Sequence, residues 1–295
     1  MSHEEMKHAE NEIASFYYDS SESVHKSIEG LCSIIKKYSF IAMPFKGKDE
    51  SVINRFLREQ GSPGTLKEKE ITGNSPLFFD RKPVLSIEGY LLFPTVKKTT
   101  LFYDTRTDYF IKILQPIGIK RKIVSLFANK ARLIYNLSEK LMANGIKVPG
   151  VLAYGMIKKG RKPFLVMDRI KGKSLYTILN IEKGNLPYEG YLKVIDKLAD
   201  LHNLGYWFGD MRIAHVFINR SEISGFVDID SIRRNMPFRL RNLAKDLAGL
   251  NNPDLPLTYD EKIKLLKHYV ARVQIKNDRN LLHLIKHYSK IRWKE

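Results

Sequence analysis

The apolar pattern changes period partway along the chain, and that change limits the fold more than any other feature. Between residues 84 and 167 apolar residues alternate with polar ones or form short β-branched and aromatic runs; after residue 171 they recur three and four apart. Period two belongs to a strand with one face buried, and a period of about 3.6 residues to a helix packed along one stripe. The first region reads as five strands: Val84–Phe93, Thr99–Tyr103, Asp108–Leu114, Val148–Tyr154 and Pro163–Met167. One helix, Phe127–Ala143, follows the third strand, and Asn144-Gly145 stops it because glycine turns left-handed without a Cβ penalty. Beyond residue 171 the pattern predicts helices at Ser174–Leu179, Tyr188–Leu204, Leu240–Leu250, Tyr259–Val273 and Asn280–Arg292. Short strands near Val216–Asn219 and Gly225–Asp228 interrupt them. Strands first and helices afterwards imply an α+β, two-lobed fold, a small mixed-sheet lobe joined by a hinge to a larger helical lobe.

Residues 1–80 carry weaker signals. Val24, Ile28, Leu31 and Ile35 recur at helical spacing within Ser23–Lys37, and Gly61–Gly73 has the composition of a loop. The 295 residues therefore divide into an N-terminal extension of unknown role (1–80), a sheet lobe with hinge (81–170) and a helical lobe (171–295). Cys32 is the only cysteine, so no intramolecular disulfide forms, which fits a reducing compartment. The start, MSHEEMKHAENEIASF, lacks the basic and apolar regions of a signal peptide. No run reaches the roughly 18 apolar residues of a spanning helix. The expectation is a cytoplasmic protein. Net charge is +18, unevenly spread: residues 1–30 hold seven acids against two lysines, whereas Lys112–Lys162 holds twelve Lys or Arg and one acid, Glu139. Such a field draws nucleotides, nucleic acid or an acidic membrane face, and equally serves solubility.

The chemistry concentrates in Leu201–Arg220 and Gly225–Ser231. Asp210 sits on a loop after a helix; His215 follows five residues later, then a short apolar strand; Asp228, eighteen residues after Asp210, ends the next one. Two carboxylates at adjacent hairpin ends can position a hydroxyl and hold Mg²⁺, the demands of phosphoryl transfer, where catalysis is mainly positioning and charge neutralisation. A turn-capping role is the bland alternative for Asp210. His215 fits either a second metal ligand or a hydrogen-bonding brace, since Mg²⁺ prefers oxygen. Asp230 fits either a ligand or a turn. Lys112 shares its strand face with Phe110 and Leu114, so an ammonium interrupts an apolar face.

These residues resemble the protein-kinase superfamily. Asp210 is similar to the catalytic-loop Asp of H-R-D-x-x-x-x-N, Asp228 to the Asp of D-F-G, and Lys112 to the V-A-I-K lysine. Phe164–Leu175 resembles the hinge, and Asp246 the lower-lobe Asp that braces the catalytic loop. A closer resemblance is to the lipopolysaccharide core heptose kinases, which carry His where most kinases carry Asn. Their D-L-Y-x-x-H-F-L-L is matched by D-M-R-I-A-H-V-F-I at Asp210–Ile218, and their R-D-K-D-L-A-x-L by Arg241–Leu250. The resemblance covers roughly residues 95–275.

The resemblance implies an ATP- and Mg²⁺-dependent phosphotransferase. Asp210 would orient the acceptor hydroxyl and take its proton, and Arg212 would neutralise the γ-phosphate. Lys112 would pair with the α- and β-phosphates, Met167, Asp168 and Ile170 would form the adenine hinge, and Asp228 with His215 would hold the metal. His202 reads as a packed helix-end residue. The acceptor it implies is an anionic glycolipid of the lipopolysaccharide inner core, reached at the cytoplasmic membrane face. Two departures stand out. The helix position that clamps the strand-three lysine falls on Ile134, and Glu139 lies about 140° away around the helix. Pro94–Thr99 also has no glycine where a phosphate loop would lie, though Lys97 and Lys98 stand there. These leave two alternatives open, a kinase of another acceptor (protein or small metabolite) and a pseudokinase scaffold with little turnover. Nucleic acid ranks below these, because no recognised binding module accompanies the charge.

Overall fold

The computed structural model describes residues 13–18, 22–37, 85–87, 89–93, 99–114, 130–157 and 162–293. The loop expected at Gly61–Gly73, residues 127–129 of the expected helix and Lys97–Lys98 lie outside them. The chain forms two compact units: Met1–Glu139 with Gly150–Arg169, and Lys140–Pro149 with Ile170–Glu295. Its composition is α+β, with a sheet early and helices late, in the order of elements expected from the pattern.

The first unit is built on β1 (Ile13–Tyr18), α1 (Glu22–Lys37), β2 (Leu85–Ile87), β3 (Tyr90–Phe93), β4 (Thr99–Asp104) and β5 (Tyr109–Leu114). Most of α2 (Lys130–Ala143), β6 (Val151–Ile157) and β7 (Lys162–Asp168) complete it. The strands form one sheet in the order β1-β6-β7-β5-β4-β3-β2. Every pairing is antiparallel rather than mixed. The reason lies in β7, which inserts between β5 and β6 and so separates the two strands that a helical crossover leaves parallel. The run expected as one strand, Val84–Phe93, breaks into the β2–β3 hairpin at Gly89, a residue at φ 83°.

Part of the expected extension belongs to this unit. β1 pairs with β6, Ile13 opposite Ile157 and Tyr18 opposite Ala153, closing that sheet edge. Val24, Ile28 and Ile34 of α1 join Tyr90, Phe102, Ile111, Ile113, Phe164 and Val166 in one buried cluster. A polar anchor fixes the helix to the sheet: Ser27 Oγ donates to fully buried Asp104 Oδ2 at 2.7 Å, and the Tyr90 hydroxyl donates to the Ser27 carbonyl at 3.0 Å. Arg106 completes the anchor with Nε and Nη2 on Asp104 at 2.9 and 3.1 Å. Burial alone would raise the Asp104 carboxyl, but the Arg106 and Ser27 hydrogen bonds outweigh it and hold it below its usual range.

The second unit begins within α2, which stops where expected: Gly145 adopts φ 75° and the Ile146 amide reaches back to the Leu141 carbonyl at 3.0 Å. β8 (Lys173–Ser174) leads to a π-helical turn, Thr177–Ile181, in place of the expected helix Ser174–Leu179. Then come α3 (Tyr188–Asn203), β9 (Tyr206–Trp207), β10 (Val216–Asn219), β11 (Glu222–Phe226) and β12 (Arg233–Arg234). The unit ends with α4 (Leu240–Leu250), α5 (Tyr259–Val273) and α6 (Asp278–Trp293). Thr258 and Glu261 start α5 with a reciprocal capping box, each satisfying an amide of the other. Leu198, Leu201, Phe208, Leu243, Tyr269 and Leu281, all fully buried, pack the helices together.

Candidate active site

The loop between β9 and β10 carries Asp210, and its shape is set from α4. Asp246, at 0% exposure, turns both carboxylate oxygens to that loop, accepting from the Phe208 amide at 2.5 Å and the Gly209 amide at 3.0 Å. A third donor is His202 Nε2 at 3.1 Å, at the end of α3. A carboxylate only accepts, so Nε2 carries a proton, and Nδ1 is hydrogen-bonded with the Tyr269 hydroxyl at 2.6 Å. Burial pushes that hydroxyl's pKa far up, which keeps its proton on. The expected bracing role of Asp246 and the packed role of His202 thus appear as one buried chain, Tyr269–His202–Asp246–loop.

Close approach completes the support. A Cβ built on Gly249 of α4 would lie 2.1 Å from the Met211 carbonyl oxygen, so only glycine lets the helix backbone reach the loop. Behind the loop, Phe208 packs edge-on to Phe226 at 5.4 Å, and the Val227 amide donates to the His215 carbonyl at 3.0 Å. β9 pairs with β12 on the far side of Asp228. The segments bearing Asp210 and Asp228 are therefore stitched side by side by backbone, not merely neighbours in sequence. Gly225 lets β11 pass against the Lys147 carbonyl, which also accepts from the Phe226 amide at 2.9 Å.

Asp210 is half-buried and held by two guanidinium groups. Arg212 chelates it, Nε and Nη2 each 3.2 Å from one oxygen. Arg292 Nη2, from α6, donates to Asp210 Oδ1 at 2.9 Å and to the Met211 carbonyl at 2.7 Å. Burial tends to raise the Asp210 carboxyl, but Arg212, then Arg292 and His215, bring it net below its ordinary value. Arg292 escapes sequence reasoning because it stands 82 residues downstream in an amphipathic helix, with no motif around it. Arg212, expected toward a γ-phosphate, lies on Asp210 in the structure.

Asp228 ends the second hairpin at φ 64°, ψ 41°, a left-handed conformation rare for a residue with a Cβ. Such backbone strain persists where the surroundings enforce it and clusters at functional sites. Ser231 Oγ donates to the Asp228 carbonyl at 2.9 Å, fixing the turn that also carries Asp230. His215 is buried at 7% exposure in a short 3₁₀ turn. Among the described residues no three His, Cys, Asp or Glu side chains gather as a metal cage. The donor set here is one or two carboxylates with a histidine nearby in the chain, which suits an ion like Mg²⁺ that keeps waters and phosphate oxygens as ligands.

In the first unit, Lys112 of β5 is 6% exposed, on the sheet face opposite the α1 cluster. Its cross-strand neighbours are Leu101 and Leu165, and Met167, opposite Phe110, shares that face. An ammonium inside an apolar face is costly unless a counter-charge meets it. Ile134, where the resemblance expects the clamp, is buried, and Glu139 is exposed. At the end of β7, Asp168 Oδ1 accepts from the Gly150 amide at 2.6 Å while its own amide donates to the Gly150 carbonyl at 3.0 Å. Desolvation raises the Asp168 carboxyl, with the Gly150 amide acting against it. The division between units falls after Arg169, so Asp168 and Ile170 stand on either side of it.

No family model and no curated protein matches the chain. Among solved structures it is similar to WbdD bound to the kinase inhibitor LY294002: 21% identity, TM-score 0.45, covering 72% of this chain and 48% of that one. Another structure of WbdD, described as a bifunctional kinase-methyltransferase, gives 16% identity, TM-score 0.43 and coverage of 65% and 47%. Vaccinia related kinase 3 gives 16% identity, TM-score 0.37 and coverage of 71% and 72%. The chain spans about half the length of WbdD.

Proposed function

We propose that this chain is an ATP- and Mg²⁺-dependent phosphotransferase acting on a sugar hydroxyl of the lipopolysaccharide inner core. The observation that carries the reading is Asp210, kept ionised by Arg212 and Arg292 on a loop whose amides are pinned by buried Asp246. A carboxylate held that way orients a hydroxyl and accepts its proton as the bond to phosphorus forms. Asp228, with His215 as ligand or brace, would hold the metal, which when bound neutralises phosphate charge. Lys112 would meet nucleotide phosphates; Met167 would line the adenine site, with backbone groups of Asp168 and Ile170 as its hydrogen-bonding edge. The glycolipid acceptor rests on the heptose-kinase-like run Asp210–Ile218 and on the +18 charge, which suits an anionic substrate at a membrane face.

Radiolabelled ATP with purified core–lipid acceptor tests this. Wild type transfers label, and Asp210→Asn loses about 10²–10⁴ of the rate, the usual worth of a positioned base. No transfer by wild type, or equal transfer by the variant, sinks the proposal. Label appearing only on a protein or small metabolite would keep the chemistry and replace the acceptor.

One observation favours a second reading. Ile134 stands where the resemblance expects a carboxylate, and a chain built that way would bind a partner and turn over little. Thermal unfolding with saturating Mg²⁺-ATP separates the two: the kinase reading expects a rise in Tm that Lys112→Ala abolishes, the scaffold reading none.

A further inference from the structure

The helical unit contains a concavity, of about 170 Å³, that neither Asp210, Arg212, His215 nor Asp228 lines. Ile195 of α3, Leu247 of α4, Leu266 of α5 and Ile285 of α6 wall it, and Ile213 closes it on the loop side. Apolar cavities of about 150 Å³ stay dry and take up hydrocarbon the size of benzene. The space here therefore holds a segment of about six carbons. Its outer margin is not sealed. Tyr259 is 64% exposed there, and Leu257 and Leu282 are each partly open to water.

We propose that this is a binding site for a single hydrocarbon chain with an anionic head, of the fatty-carboxylate class. Three features select that ligand. Lys262 of α5 and Lys286 of α6 both line the cavity, and no carboxylate does, so the margin favours an anion. Lysine stems cover apolar surface while their ammonium groups reach water, where a head group would sit. A peptide would bring backbone amides into walls whose only polar side chains are Tyr191, Asn251, Tyr259 and the two lysines, leaving donors unsatisfied. A two-chain lipid exceeds the volume.

The site also touches the candidate active site from behind. Ile213 lies between Arg212 and His215, and Leu247 follows Asp246. An occupant packs against the reverse of the Asp210 loop and holds it in place. Binding itself does not rest on the phosphotransferase reading; only this coupling does.

Isothermal titration of the full chain with sodium dodecanoate tests the site, with dodecyltrimethylammonium as the cationic control. One equivalent of dodecanoate binds and raises Tm, and the cation binds at least tenfold more weakly. Leu266→Trp fills the cavity and abolishes binding. Should that variant fail to fold, the surface pair Lys262→Glu, Lys286→Glu decides, weakening dodecanoate at least tenfold and reversing the preference. Absence of saturable dodecanoate binding, indifference to head charge, or unchanged binding in a folded Leu266→Trp protein overturns the proposal. So does displacement of dodecanoate by phosphatidylcholine–phosphatidylglycerol vesicles, which would assign the site to a membrane lipid.

Discussion

Asp210 has two cationic partners, and their influence can be read as a pH profile. Because its carboxyl is depressed in the folded chain, the stability this group contributes is complete above the unfolded value and is lost as pH falls through the folded one. Activity that needs the ionised form falls over the same acid range. Arg292→Gln removes a cation, so the carboxyl rises and the acid limb of kcat/KM moves to higher pH. Arg292→Lys keeps the charge but cannot bridge Asp210 and the Met211 carbonyl in the same fork. It should leave the limb in place and lower the rate roughly 10-fold, the scale of one charged hydrogen bond. A rate profile from pH 4 to 9 checks both. If Arg292→Gln lowers the rate without moving the limb, Arg292 only supports the loop. Carboxyl titration by NMR gives the same answer without turnover.

Among the elements, α4 does the most for the loop, because Asp246 alone satisfies two of its amides and the His202 imidazole. Asp246→Ala leaves two buried donors and the part-buried Gly209 amide without an acceptor, and each orphaned buried donor costs about 1–3 kcal/mol. Urea unfolding should show that loss, and hydrogen exchange should show faster exchange at Phe208 and Gly209. Protection equal to wild type would mean the loop holds itself. Gly249→Ala should also displace the loop, since its methyl meets the Met211 carbonyl. These links differ in how far they were legible. Asp246 could be found because Arg241–Leu250 combines helical spacing with a motif, and α4 and α5 matched their expected bounds because the apolar period is clear in both and a capping box starts α5. Arg292 and β1 could not. Each meets its partner across a long sequence gap, 82 residues from Asp210 and about 140 from β6, and local periodicity carries no record of such pairings. The hairpin at Gly89 was hidden for a nearer reason: β3 is buried throughout, so its run shows no alternation.

At the scale of the whole chain, what matters is whether the first 40 residues are an appendage. Val24, Ile28 and Ile34 are at most 1% exposed, and burying an aliphatic side chain is worth about 1.5–3 kcal/mol each. Removing α1 also takes Ser27 from Asp104 and uncovers Ile111 and Ile113, while removing β1 opens the backbone edge of β6. The sum rivals the 5–15 kcal/mol by which a domain of this kind is stable, roughly speaking. A chain of residues 41–295 should therefore lose cooperative unfolding of the first unit and aggregate through the bare sheet. Full-length Ile28→Ala, which keeps the strand, should lose only about 2–5 kcal/mol and stay soluble. Calorimetry on both separates the alternatives, because a dispensable extension predicts one Tm for all three proteins. An unchanged Tm in the truncated chain would remove α1 from the core; a drop in Ile28→Ala with a soluble, cooperative truncation would mean the sheet finds other cover.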